Sequence, residues 1–95
     1  MNHIFKAKAW LYAGEAAWHF VTLPKDLATQ IKLESGPDQI RGMVKVEASI
    51  GKTNWKTSIF WDKKAASYLL PLKAEVRKKE HIQMGDTLAI SLRLI

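Results

Sequence analysis

A mostly β fold, closed into a six-stranded barrel with two short α-helices, is what this sequence predicts. Three observations carry the prediction. Stretches of the chain alternate apolar and polar residues with the period of two that a half-buried strand requires. Turn residues punctuate these stretches every ~8–12 residues, the spacing of sandwiches and barrels, and closing the sheet removes its exposed edges. Finally, the chain reads twice in one order. FVTLPKDLATQI leads through a loop to IRGMVKVEASI, and SYLLPLKAEVRKKEHI leads through a loop to MGDTLAISLRL. Each half is strand, proline, lysine, short helix, glycine turn and long strand, which predicts two interlocked halves about a pseudo-twofold axis.

The elements follow in order. From His3 to Tyr12, Phe5, Ala7, Ala9 and Leu11 share one face, and Lys6, Lys8, Trp10 and Tyr12 share the other. Ala13-Gly14-Glu15 reads as a turn. Ala17 to Leu23 is rich in aromatic and β-branched residues, so the two segments predict a hairpin. Pro24 suits the first turn of a helix, where Asp26 complements the positive terminus. Leu23, Leu27 and Ile31 recur at intervals of four, an apolar stripe that runs to about Glu34. Ser35-Gly36-Pro37-Asp38 ends the helix with loop chemistry.

In the next strand Ile40, Gly42, Val44, Val46, Ala48 and Ile50 point inward, and Arg41, Met43, Lys45, Glu47 and Ser49 outward. Gly42 marks a bulge or a close approach. Gly51-Lys52 turns into Thr53 to Trp61, where Trp55, Thr57, Ile59 and Trp61 share a face. Asp62 to Ala66 reads as a charged loop. Ser67 to Leu72 is a short strand in which Pro71 belongs at an edge or an end. Lys73 to Glu80 makes the second helix, with Glu75 and Lys79 placed for an i,i+4 pair. Met84-Gly85-Asp86 turns into the last strand, where Leu88, Ile90, Leu92 and Leu94 alternate with Ala89, Ser91 and Arg93.

The 95 residues make one domain, 1–95. The absence of cysteine excludes a disulfide framework, thiolate zinc sites and cysteine nucleophiles, and it fits a reducing, cytoplasmic setting. No stretch approaches the ~20 apolar residues of a membrane-spanning helix. Lys6 and Lys8 lie inside the first apolar stretch, unlike the basic region of a signal peptide, so that stretch is expected to be the first strand of the mature domain. The net charge of +6 is uneven: residues 1–51 hold six basic against five acidic side chains, and residues 52–95 nine against four. A basic second half raises encounter rates with polyanions.

P-L-K-A-E-V-R-K-K-E-H-I-Q-M-G-D-T-L-A-I resembles the half-barrel of AbrB-type transition-state regulators, through Pro71, Arg77, Ile82, Gly85, Asp86, Leu88 and Ile90. L-P-K-D-L, Leu23 to Leu27, is similar to the same device. The chain as a whole resembles the domain of unknown function 1905 family, small bacterial and archaeal domains often found beside a bacteriocin-protection, OmpD-associated module. Trp18 to Pro24, Ile40 to Gly42, Tyr68 to Leu72 and Val76 to Asp86 carry that resemblance in order along nearly the whole chain. It implies a double-split β-barrel, one chain doing what two AbrB-type subunits do together, and it implies no activity. His81 departs from the pattern, standing where glycine is usual.

Candidate chemistry is sparse. His3, His19 and His81 have no metal-ligand partner at close spacing, and a structural role is the expectation for each. His81 is expected to interact with the end of the second helix, where a cation is favoured. The glycines form no phosphate loop and the serines no nucleophile elbow, so no catalytic residue, metal or cofactor is implied. Four tryptophans in so short a chain are unusual. Trp18, Trp55 and Trp61 are expected in the core with Phe20 and Ile59. Trp10 and Tyr12 share a face with lysines, the arrangement that stacks bases and neutralises phosphates, or else a polar face half covered by a helix. Lys63, Lys64, Lys73, Arg77, Lys78 and Lys79 form the candidate anion or nucleic-acid site, and Lys73 and Arg77 lie one helical turn apart.

Two readings stand. One is a non-enzymatic binding or interaction module that engages nucleic acid, another polyanion or another protein, and no membrane. The other is a small-molecule binder or an enzyme with a Trp/Lys-lined pocket at the barrel mouth.

Overall fold

Alternation along each strand decides which side chains fill the barrel. The computed structural model describes residues 2–12, 18–36 and 42–95. The predicted turn at 13–15, together with Ile40 and Arg41, falls outside them. Six strands are described: β1 (Asn2–Leu11), β2 (His19–Thr22), β3 (Met43–Ile50), β4 (Thr53–Asp62), β5 (Ser67–Pro71) and β6 (Thr87–Leu94). Helix α1 (Lys25–Ser35) follows β2, and α2 (Ala74–Lys79) follows β5. The strands close in the order β1-β2-β5-β4-β3-β6, every pair antiparallel. No helix is long and apolar enough to cross a membrane among the described residues.

The order has the expected twofold character. Exchanging β1 with β4, β2 with β5 and β3 with β6 preserves every neighbouring pair, with β2–β5 and β3–β6 mapped onto themselves. The hydrogen bonds obey the same exchange. The Leu23 N–H donates to the Tyr68 carbonyl at 3.0 Å, and the Leu72 N–H donates to the His19 carbonyl at 2.9 Å. One step along the chain relates Leu23 to Leu72 and His19 to Tyr68. Val21 and Leu70, opposite each other where β2 meets β5, sit on the axis between the halves.

The inward rows are Phe5 and Ala9 on β1, Val44, Val46, Ala48 and Ile50 on β3, and Leu88, Ile90 and Leu92 on β6, all buried in one core. Trp55 and Trp61 pack against that core as expected. Helix α1 adds Ala28 and Ile31, and α2 adds Val76. Buried Ser67 donates from its hydroxyl to the Leu23 carbonyl at 2.6 Å, tying β5 to the entry of α1. Leu11 departs from its predicted inward row and is exposed. The β6 ladder ends at Lys8, so Leu11 runs past the barrel beside β2 alone.

Polar pairs tie the elements to one another. His3 Nε2 lies 3.0 Å from Glu34 Oε2, joining β1 to the end of α1. Lys79 pairs with Glu75 at 3.4 Å, as its spacing predicts. Arg93 on β6 bonds Glu47 on β3, and this bond holds the Glu47 carboxyl below its ordinary range. Gly42 has φ +72, and a Cβ there would lie 3.3 Å from the Trp61 Cβ, so it is the predicted close approach. Gly51, at φ +57, takes the first position of the two-residue β3–β4 turn, where glycine is favoured.

His81 is the left-handed cap of α2. Its φ is +54, the Glu80 N–H bonds the Val76 carbonyl at 3.0 Å, and the Ile82 N–H bonds the Arg77 carbonyl at 2.9 Å. Its backbone conformation, rather than a charge at the helix end, explains why glycine suits this position. A side chain in that region costs ~1–2 kcal/mol, partly offset by glycine's greater freedom when unfolded. His81→Gly is therefore expected to raise stability by about 0.5–1 kcal/mol, read as a higher urea midpoint. A midpoint that stays put or falls would refute this account of the cap.

Candidate functional site

Register on the outer wall gathers the aromatic residues that do not face the core. Trp10 on β1 lies opposite Phe20 on β2, Phe20 lies opposite Pro71 on β5, and Phe60 on β4 lies opposite Leu69 on β5. Their inward-facing neighbours Ala9, Val21, Ile59 and Leu70 are buried in the core, so these five point out. Phe20 is the hub. Its ring centroid is 5.3 Å from Trp10, 5.6 Å from Phe60, 6.0 Å from Trp18 and 6.4 Å from Tyr12. Four rings around it leave Phe20 only 6% exposed although it faces outward.

The rings around that hub differ in what they offer. Trp18 stacks on Phe20 at an interplanar angle of 12° yet stays 53% exposed, so one face is taken and the other is open. Tyr12 is 54% exposed. Trp10 is pinned by donation from its indole Nε1 to the Thr22 hydroxyl at 2.9 Å. Together with Leu69, Asp62 and Lys64 these rings line an open groove of about 610 Å³. Its walls are almost wholly apolar. Asp62 Oδ2 accepts the Ala65 N–H at 3.1 Å, which fixes the carboxylate at the end of β4.

A second hollow of about 270 Å³ adjoins the groove and shares Trp18 with it; Lys73 and Arg77 are on its lining, beside Pro71 and Leu72. Arg77 is held by donation from Nε to the Leu72 carbonyl at 3.0 Å. Lys73 Nζ lies 3.4 Å from the Lys56 carbonyl. A third hollow, reached over Phe60, carries Lys45 and Lys56 on its lining.

The fold thus divides the predicted basic cluster. Lys64 lines the aromatic groove, and Lys73 and Arg77 line the hollow beside it, facing one way as their spacing predicts. Lys63, Lys78 and Lys79 are exposed and line neither, and Lys79 is engaged by Glu75. Trp10 and Tyr12 both line the groove, and each packs against Phe20 rather than under a helix. The tryptophan–lysine surface is on the barrel's outer wall and not at its mouth.

Trp18 and Phe20 correct the expectation that both belong to the core. In AWHFVTL either face is apolar enough to be buried, so alternation alone does not choose between them. The usable signal was Val21 with Leu23 ahead of Pro24: those residues lead into a buried helix and so face inward, which turns Trp18 and Phe20 out. Phe60 and Leu69 were missed because only the pairing of β4 with β5 and of β5 with β2 brings them beside the aromatic residues of β1 and β2.

The chain has no significant match among curated proteins. A family model does match residues 5–92, and on that span the chain belongs to the family described as Domain of unknown function (DUF1905).

Proposed function

We propose that this domain is a non-enzymatic binding module that takes up single-stranded nucleic acid weakly on its outer wall. The single observation that carries this reading is Trp18, a half-open ring shared by an apolar aromatic groove and a basic hollow. Bases stack on aromatic faces irrespective of sequence, for ~1–3 kcal/mol each, while lysine and arginine neutralise the phosphates. Trp18 and Tyr12 supply the open faces, and Lys64, Lys73 and Arg77 supply the charge. The pseudo-twofold order of elements supports an AbrB-like double-split barrel made from one chain. The lack of cysteine supports a cytoplasmic setting.

The groove volume favours a second reading. About 610 Å³ of apolar hollow falls within the ~300–1,000 Å³ of small-molecule sites. Salt separates the two. Three engaged cations on a single strand give a log–log salt slope of about −2, roughly a fifteenfold weakening from 50 to 200 mM salt.

Titration of tryptophan fluorescence with oligothymidylate is expected to show saturable quenching with that slope. The double variant Lys64→Gln/Lys73→Gln is expected to flatten the slope to about −1 or less, while Lys78→Gln/Lys79→Gln changes affinity by less than about twofold. Absence of quenching, or binding indifferent to salt, would overturn the nucleic-acid reading. A metabolite that quenches at stoichiometric levels would then support the small-molecule one.

A further inference from the structure

We infer that Asp62 reads the base in this groove and selects guanine, an inference that rests on the nucleic-acid reading above. Among the described residues, Asp62 is the one acidic side chain lining any of the three adjoining hollows. It closes the outward row of β4 just after Phe60, and same-face neighbours on a strand stand about 6.6 Å apart. A base lying against the Phe60 side of the groove therefore has its hydrogen-bonding edge within reach of the carboxylate.

Charge assigns the carboxylate to the base and not to the backbone. Phosphate oxygens are repelled by it and drawn to Lys64, so the two residues divide the ligand between them. Asp62 forms no ion pair with Lys64 among the described residues, despite their closeness in sequence. One oxygen takes the Ala65 N–H, which orients the group, and acceptor capacity remains on both oxygens.

A carboxylate accepts hydrogen bonds and cannot donate them. Unpaired bases are read on their Watson–Crick edges. Guanine alone presents two adjacent donors there, N1–H and N2–H, which match the two carboxylate oxygens. Adenine and cytosine set a ring-nitrogen acceptor beside their amino group. Thymine sets carbonyl oxygens on both sides of its N3–H. An acceptor held against a carboxylate is repelled by it and leaves one carboxylate oxygen without a donor, so those three bases are disfavoured as guanine is favoured.

The test uses the whole chain and four thymidine octamers whose central position is guanine, adenine, cytosine or thymine, followed by tryptophan quenching. The guanine octamer is expected to bind about tenfold tighter than the all-thymine one, and adenine and cytosine no tighter than thymine. Asp62→Asn keeps an acceptor for the Ala65 N–H and is expected to cut the guanine preference to about twofold, with the all-thymine octamer binding tighter because the charge that repels phosphate and opposes the thymine carbonyls is gone. Asp62→Ala is expected to do the same, its fold checked by circular dichroism. Equal affinities for the four octamers would overturn the role of Asp62 and leave the binding module standing. Guanine preference that survives both substitutions would also overturn it. No quenching by any octamer would overturn both readings together.

Discussion

Replacing Leu70 by alanine is expected to remove about 3 kcal/mol of stability, within the ~2–5 kcal/mol range for burying a cavity of this kind. Leu70 is fully buried and faces Val21 across the seam where the two halves of the barrel meet. The barrel is closed, so no strand is free to slide in and fill the gap. A small domain holds only about 5–15 kcal/mol in all, so this one side chain accounts for a large share. The melting temperature should fall by roughly 15–20 °C, since each kcal/mol moves a domain of this size by about 4–8 °C. The urea midpoint should fall with the slope m unchanged, because the surface exposed on unfolding is the same. A loss below about 1 kcal/mol would mean that Leu70 is not where the halves interlock.

Trp18→Ala should behave in the opposite way, leaving the fold nearly untouched and disabling the groove. More than half of Trp18 is exposed, and its visible partner is the ring of Phe20. Its removal should change stability by less than about 1 kcal/mol, well under the cost of truncating a buried aromatic. Affinity for oligothymidylate should fall by about tenfold or more, because a stacked base is worth ~1–3 kcal/mol. Trp10→Ala is the control. Its indole is tied to Thr22, so that variant should lose stability as well as affinity. An unaltered Trp18→Ala affinity would move the binding surface elsewhere on the barrel.

Much of the barrel was legible because its signals are local. Alternation at Val44 to Ile50 and Leu88 to Leu94 named the inward rows, and Gly51-Lys52 named the turn between β3 and β4. The repeated strand–proline–lysine–helix order named the two halves, and the paired bonds at Leu23 and Leu72 follow it. His81 was legible as an oddity, a side chain in glycine's place, and its φ of +54 supplies the reason.

The groove was legible only in part. Trp10 and Tyr12 stood out because lysines share their face, and Lys64, Lys73 and Arg77 stood out as charge. Nothing in the chain order places Phe60 and Leu69 beside residues of β1 and β2. Trp18 could be read with equal right as core, since both faces of its strand are apolar.

The sequence by itself determined the strands, the β3–β4 turn, the inward rows of β3 and β6 and the excess of positive charge, because each depends on neighbours a few residues away. Tertiary structure alone decided that Trp10, Trp18, Phe20, Phe60 and Leu69 share one wall with Lys64 and Asp62. That outcome depends on the order in which the sheet closes. Antiparallel register across β1, β2, β5 and β4 joins residues from distant parts of the chain, and a period of two says which face a side chain takes but never which strand will lie beside it.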